Sequence, residues 1–168
     1  IPFEKYNGTD NDFVVIEAAD AATIPDLSKF AVEHCDRSDG LGADREDATT
    51  GADGVLVLDI DADADPVRVE MTLYQPDGGT AAMCGNGARV VAAWAHERTG
   101  ETDFVIETGA GDRAAAVEEA ESGEFVVSVE MGEPAFSPAA VPLAESYDEP
   151  MIEEEVGELT VTAVNTGV

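Results

Sequence analysis

Positive charge is what this 168-residue chain lacks most. Eight Lys and Arg face 37 Asp and Glu, a formal net charge of −29. No basic stripe exists to neutralise phosphates, which argues against nucleic acid as a partner, and anionic membrane surfaces are disfavoured for the same reason. No apolar run approaches the roughly 18 residues of a spanning helix. The first residues, Ile1-Pro2-Phe3-Glu4, lack the basic and apolar pattern of a secretory signal. A cytoplasmic location is therefore expected. Cysteine is scarce: Cys35 and Cys84 stand far apart, and reduced thiols are expected over a disulfide. Histidine is scarcer in effect, because neither His34 nor His96 is placed to partner a nucleophile.

What is present is globular. Hydrophobic residues make up 44% of the chain, and the length suits one domain or one and part of a second. The carboxylates are interleaved with Val, Ile and Phe, unlike a disordered acidic tail. Only two lysines occur, alanine is abundant and aromatics are 6%. This composition resembles that of proteins from salt-loving, halophilic organisms. In molar salt the Debye length falls to ~3 Å and self-repulsion is screened.

Residues 3–6 and 13–17 read as strands joined across the polar stretch 7–12. Residues 25–33 carry helical spacing at Leu27, Phe30 and Ala31, with Thr23 as the expected cap. Val55 to Leu58 reads as a buried strand. Val67, Val69, Met71 and Leu73 alternate with polar residues, which predicts a half-buried strand over 67–74. Further strands are expected at 104–108, 113–117, 125–131 and 159–164, with a loop over 136–156. The run Val90-Val91-Ala92-Ala93-Trp94-Ala95 is apolar almost all round and predicts a helix buried on every side. The expected fold is α+β, a curved antiparallel sheet or barrel wrapped around a buried central helix. The segment from Asp59 to Asp65 spaces its carboxylates like a calcium loop. Ala64 stands where such a loop needs Gly and Pro66 follows, so the expected reading is a solvated hairpin turn with no metal.

Cys84 is the residue best placed for chemistry. It precedes the buried helix in Cys84-Gly85-Asn86-Gly87. The glycines let a ligand approach free backbone N–H groups, and the positive helix N-terminus favours thiolate. A thiolate there can serve as nucleophile or general base. The alternative is a small apolar residue that merely starts a helix. His96 lies twelve residues on, ~18 Å by helical rise, so a Cys–His dyad with it is excluded.

Four segments resemble the diaminopimelate epimerase family. They are Phe3-x-Lys5-Tyr6-Asn7-Gly8-Thr9-Asp10-Asn11-Asp12-Phe13, then Cys35-Asp36-Arg37 with Gly51-Ala52-Asp53-Gly54. The third runs from Tyr74-Gln75-Pro76-Asp77-Gly78 through Met83-Cys84-Gly85-Asn86-Gly87-Ala88-Arg89, and the fourth is Val129-Glu130-Met131-Gly132-Glu133-Pro134. Proline racemases and phenazine-type isomerases share that family's fold but typically carry Thr or His after Cys-Gly.

The resemblance implies a cofactor-independent, two-base stereoinversion that interconverts LL- and meso-diaminopimelate in lysine biosynthesis. Cys84 would be one base, with Asn11, Gln75, Gly85 and Asn86 binding the substrate's ammonium and carboxylate groups. It also implies that residues 1–122 form a first lobe and residues 123–168 begin a second. Cys35 is not the second catalytic cysteine; that residue belongs to the remainder of the second lobe, without which the chain is expected to lack turnover. A homodimer remains open. Asn7 and Asp10 depart from the family's usual His and Gly, residues 43–50 look like an insertion, and Val168 falls where some members place a substrate-binding Asn. A non-catalytic amino-acid-binding lobe, or an isomerase of the proline racemase or phenazine type, are the competing readings.

Overall fold

The structure is a computed structural model that describes residues 1–42, 49–121, 123–144 and 147–167. The insertion expected over 43–50 and the position of Val168 fall largely or wholly outside the described residues. The chain divides into two compact units, Ile1–Glu130 and Met131–Val168.

In the first unit, β1 (Glu4–Gly8), β2 (Asn11–Glu17), β3 (Gly54–Asp61), β4 (Val67–Tyr74), β5 (Thr80–Ala81), β6 (Asp103–Thr108), β7 (Gly111–Glu121) and β8 (Glu124–Val129) form one sheet. Its order is β1-β2-β3-β4-β6-β7-β8, with β5 against β4. Helices α1 (Ala18–Ala21) and α2 (Leu27–Cys35) lie between β2 and β3, and α3 (Gly85–Thr99) between β5 and β6. The sheet curls around α3, which touches strands from β1 at one edge to β8 at the other. This is the α+β architecture expected, with one difference. The sheet is mixed: β2 pairs parallel with β3 and β4 parallel with β6. Parallel neighbours need long crossovers, and the helix-bearing segments after β2 and β4 supply them.

Local chemistry explains the elements around the site. The β1–β2 hairpin turns on Thr9 and Asp10, both at positive φ, the backbone of a two-residue type I′ turn. The expected six-residue polar turn is thus mostly strand. Helix α2 is capped by Asp26, whose carboxylate accepts from the Lys29 N–H at 2.9 Å. Thr23, expected as the cap, instead donates its hydroxyl to the Asp20 carbonyl. In β4 the expected alternation holds, with Val67, Val69, Met71 and Leu73 buried. The acidic segment from Asp59 to Asp65 forms the end of β3 and the turn into β4.

Helix α3 explains why the sheet curls. From Gly87 to Ala95 only Arg89 is not buried. Mostly small side chains there let strands approach on several sides, while Trp94, fully buried, fills the middle. The helix stops at Gly100, which adopts the left-handed conformation. No described helix is long and apolar enough to cross a membrane.

The strands on either side of the boundary expected at 122/123, β7 and β8, pair antiparallel within this sheet. The second unit holds β9 (Glu154–Val156) paired with β10 (Leu159–Val161), and an isolated bridge between Ala135 and Asn165. The stretch 136–156, read from sequence as loop, therefore ends in a short strand.

Candidate active site

The N-terminus of α3 meets the start of β2. Gly8, at the end of β1, makes this approach possible. A Cβ there would stand 2.6 Å from the Asn86 carbonyl oxygen and 2.9 Å from Val90. Any side chain at this position would push β1 off the helix.

Cys84 is the N-cap of α3, with extended backbone and a partly exposed side chain. Its sulfur accepts the Gly87 N–H at 3.3 Å. Room beside Gly87 is tight as well, since a Cβ there would sit 3.3 Å from the Cys84 Cβ. Gly85 and Asn86 occupy the first turn, where backbone N–H groups have no partner within the helix. Negative charge on the sulfur is thus met by an amide and by the positive end of α3. His96 sits in the last turn of the same helix, beside the Glu101 carbonyl, and takes no part.

Asn11 and Asn86 are brought together. The Asn86 amide Nδ2 donates to Asn11 Oδ1 at 2.7 Å. Arg89 donates to Asn86 Oδ1 at 2.8 Å, and Asn11 Nδ2 donates to Asp53 Oδ2 at 3.1 Å. Behind Asp53 lies a set of ion pairs. Arg37 binds Asp12 through both terminal nitrogens, at 2.7 and 3.0 Å, and reaches Asp53 at 2.6 Å. Lys5 pairs with Asp12 at 3.1 Å and donates to the Thr49 and Gly51 carbonyls. Burial alone would raise the Asp12 pKa; the hydrogen bonds from Arg37 and Lys5 outweigh it and lower the pKa to about 2.

Gln75 lies in the turn after β4, its backbone N–H bonded to the Gly79 carbonyl at 2.7 Å. Among the described residues, no hydrogen bond joins its side chain to the Asn11–Asn86 pair. Cys35 is buried with Val14, Ile16, Ala31 and Val55, and burial pushes its thiol up to about 11, against the pull of Arg37. That thiol is chemically quiet. A groove of about 690 Å³ runs between β1 and β8 over α3; Lys5, Gly8 and Arg89 line it, but Cys84, Asn11 and Asn86 do not.

Of the residues expected at the site, the structure joins Asn11 and Asn86 and places Cys84 at the mouth of the same helix. The sequence reading did not single out Arg89, Asp53, Arg37 and Lys5, which the hydrogen bonds and ion pairs connect to them. All four stood in the quoted motifs. Scarcity was the usable signal: with eight cations in the chain, three of them gather behind these two asparagines.

The family model for diaminopimelate epimerase matches residues 3–137. The chain belongs to the diaminopimelate epimerase family. It is 36% identical over 147 residues to the diaminopimelate epimerase of Phenylobacterium zucineum, covering 88% of this chain and 47% of that protein. It is likewise 36% identical over 172 residues to the diaminopimelate epimerase of Methanothrix thermoacetophila, covering 100% of this chain and 56% of that one. The chain spans about half the length of the curated relatives it matches. A phenazine biosynthesis protein of the PhzF family from Bacillus anthracis superposes with a TM-score of 0.53 at 17% identity, covering 98% of this chain and 51% of that one. That likeness establishes the family's fold.

Proposed function

We propose that this chain carries one of the two acid–base cysteines of a diaminopimelate epimerase. In the complete protein the Cys84 thiolate takes the α-proton from one face of the substrate. A second cysteine thiol, outside this chain, delivers a proton to the opposite face. The carbon–hydrogen bond breaks toward Cys84 and re-forms on the other side, so LL- and meso-diaminopimelate interconvert without a cofactor. Negative charge that builds on the substrate is stabilised by preorganised amide dipoles rather than by mobile water. Gly85 and Asn86 in the first turn of α3, with Asn11 and Gln75, hold the ammonium and carboxylate groups.

Residues 1–122 belong to the first lobe and residues 123–168 open the second. The enzyme acts in the cytoplasm in lysine biosynthesis, and its charge excess suits a halophilic, salt-rich interior. The observation that supports this reading best is Cys84 itself: a partly exposed cysteine capping a buried helix, its sulfur accepting the Gly87 N–H. Solvent deuterium exchange tests it. The complete protein should exchange the substrate's α-proton, and Cys84→Ala should abolish exchange. Full exchange by that variant would remove Cys84 from the mechanism.

The Asn11–Asn86 pair forms wholly within this chain, which favours a second reading as an amino-acid-binding lobe. Calorimetry with diaminopimelate separates the two, because tight binding by the chain alone supports the binding module.

A further inference from the structure

A carboxamide is nearly symmetric in shape but opposite in polarity at its two ends, so its neighbours alone decide which way it points. Asn86 and Asn11 stand in a line whose ends leave no choice. At one end is Arg89, a guanidinium that can only donate; at the other is Asp53, a carboxylate that can only accept. Every intervening bond runs the same way: Arg89 to Asn86 Oδ1, Asn86 Nδ2 to Asn11 Oδ1, Asn11 Nδ2 to Asp53 Oδ2. Flipping either amide would set an NH2 against the guanidinium or an oxygen against the carboxylate.

Asp53 is itself fixed, since its Oδ2 also accepts the Asp12 N–H at 3.1 Å and its Oδ1 holds Arg37. Each asparagine spends one N–H and one lone pair within the line. Each keeps one N–H and one lone pair for a ligand. Two pre-aimed donors and two pre-aimed acceptors suit a zwitterionic amino-acid head group, which carries acceptors on its carboxylate and donors on its ammonium.

We propose that Arg89 and Asp53 are positioning residues, which lock the amides of Asn86 and Asn11 in the single orientation that receives the amino-acid head group. They act through the asparagines and touch no substrate. The inference rests on the function proposed above for this site. It assigns a task to two side chains 36 residues apart in sequence and joined by this line of hydrogen bonds.

The test uses Arg89→Gln and Asp53→Asn, which keep size but let the chain of amides reverse. In the complete protein each should lower kcat/KM for diaminopimelate at least tenfold, with the shape of the pH profile unchanged. Arg89→Lys retains a donor-only cation and should recover most of that loss. Adding Asp53→Asn to Asn11→Ala should change kcat/KM less than twofold, because the amide it orients has gone. Parent-like kinetics in Arg89→Gln, or a full multiplication of the two factors in the double variant, overturns the proposal.

The side-chain amide NMR signals of the 168-residue chain give an independent readout. Arg89→Gln should shift the Asn11 amide, which it does not touch, and Asp53→Asn should shift that of Asn86. Static remote signals overturn the relay. If the complete parent protein neither turns over nor binds diaminopimelate, the proposed function fails by itself, and these spectra still decide the relay.

Discussion

Two leucines in strands of this chain show what divides residues 1–130 from residues 131–168. Leu58 in β3 is 1% exposed, beneath the curled sheet; Leu159 in β10 is 69% exposed. Phe13, Leu56, Val91, Trp94 and Ile106 of the same unit are as deeply buried as Leu58. Among the described residues of the second unit, only Val141 is a buried hydrophobic side chain. The first unit is held by apolar area removed from water. The second is held mainly by backbone hydrogen bonds in a two-stranded ribbon, an arrangement marginal in water without further packing. The site belongs wholly to the first kind of structure: Cys84, Asn11 and Asn86 are mounted on elements whose positions the core fixes.

The largest effect should come from removing the centre of that core. Trp94→Ala should destabilise by about 3–5 kcal/mol, since strands packed around α3 cannot collapse fully into the space. That is a large part of a typical total of 5–15 kcal/mol. Urea unfolding followed by far-UV circular dichroism measures it. Leu58→Ala should follow at about 2–5 kcal/mol. A cost below 1 kcal/mol at both sites would mean that the sheet does not close on the helix.

Ionic strength should separate the units next. With 29 excess negative charges, lowering salt from about 1 M to about 0.01 M lengthens the Debye screening distance from ~3 Å to ~30 Å. Repulsion then spans the molecule. Amide hydrogen exchange should show residues 131–168 losing protection first, with cooperative loosening of residues 1–130 at lower salt. A melting temperature unchanged between dilute buffer and molar KCl would refute the salt-adapted reading of the composition.

The Asp12 cluster should contribute less. Its pKa lies below the ordinary 3.8, near 2, because Arg37 and Lys5 overcome the effect of burial. A carboxylate with a depressed folded-state pKa stabilises fully above about pH 4, and that contribution disappears as pH falls through about 2. The expected magnitude is about 1–2 kcal/mol, discounted because the pair with Arg37 is partly wet. Asp12→Asn should remove it, so that the parent loses more stability than the variant between pH 4 and pH 2. Parallel curves would show that the cluster adds nothing.

The sequence disclosed those parts of this architecture that depend on neighbours in the chain. The period of two in Val67, Val69, Met71 and Leu73 can be read without knowing what covers them, and the apolar run after Cys84-Gly85-Asn86-Gly87 announces a buried helix with a cysteine at its mouth. Parallel pairing of β2 with β3 and of β4 with β6 depends on where crossovers deliver the chain, and no local pattern encodes it. The relay was hidden for the same reason. Asn11 meets a carboxylate 42 residues later and an amide 75 residues later. One functional carboxylate among 37 acids also carries no compositional signal. The few cations were the better guide, and Arg37 and Arg89 are legible in retrospect for that reason.

Leu159→Ala should have the smallest effect, and its smallness is informative. The side chain faces Val156 across β9 and β10, and Val156 is itself half exposed. A cross-strand pair of this kind is worth roughly 0.2–1 kcal/mol when intact. Most of its apolar surface stays in water on both sides of the transition, so truncation should change global stability by less than about 0.5 kcal/mol. Local protection is a different quantity. Amides of the β9–β10 ribbon should exchange faster in the variant, because a hairpin with little else to hold it opens when one paired side chain is trimmed. A global loss approaching that of Leu58→Ala would break the comparison, since an exposed leucine can cost so much only if the ribbon packs against something in solution. Faster exchange confined to residues 154–161, with the unfolding midpoint unchanged, would place the boundary between the two kinds of stability outside the sheet that carries Cys84.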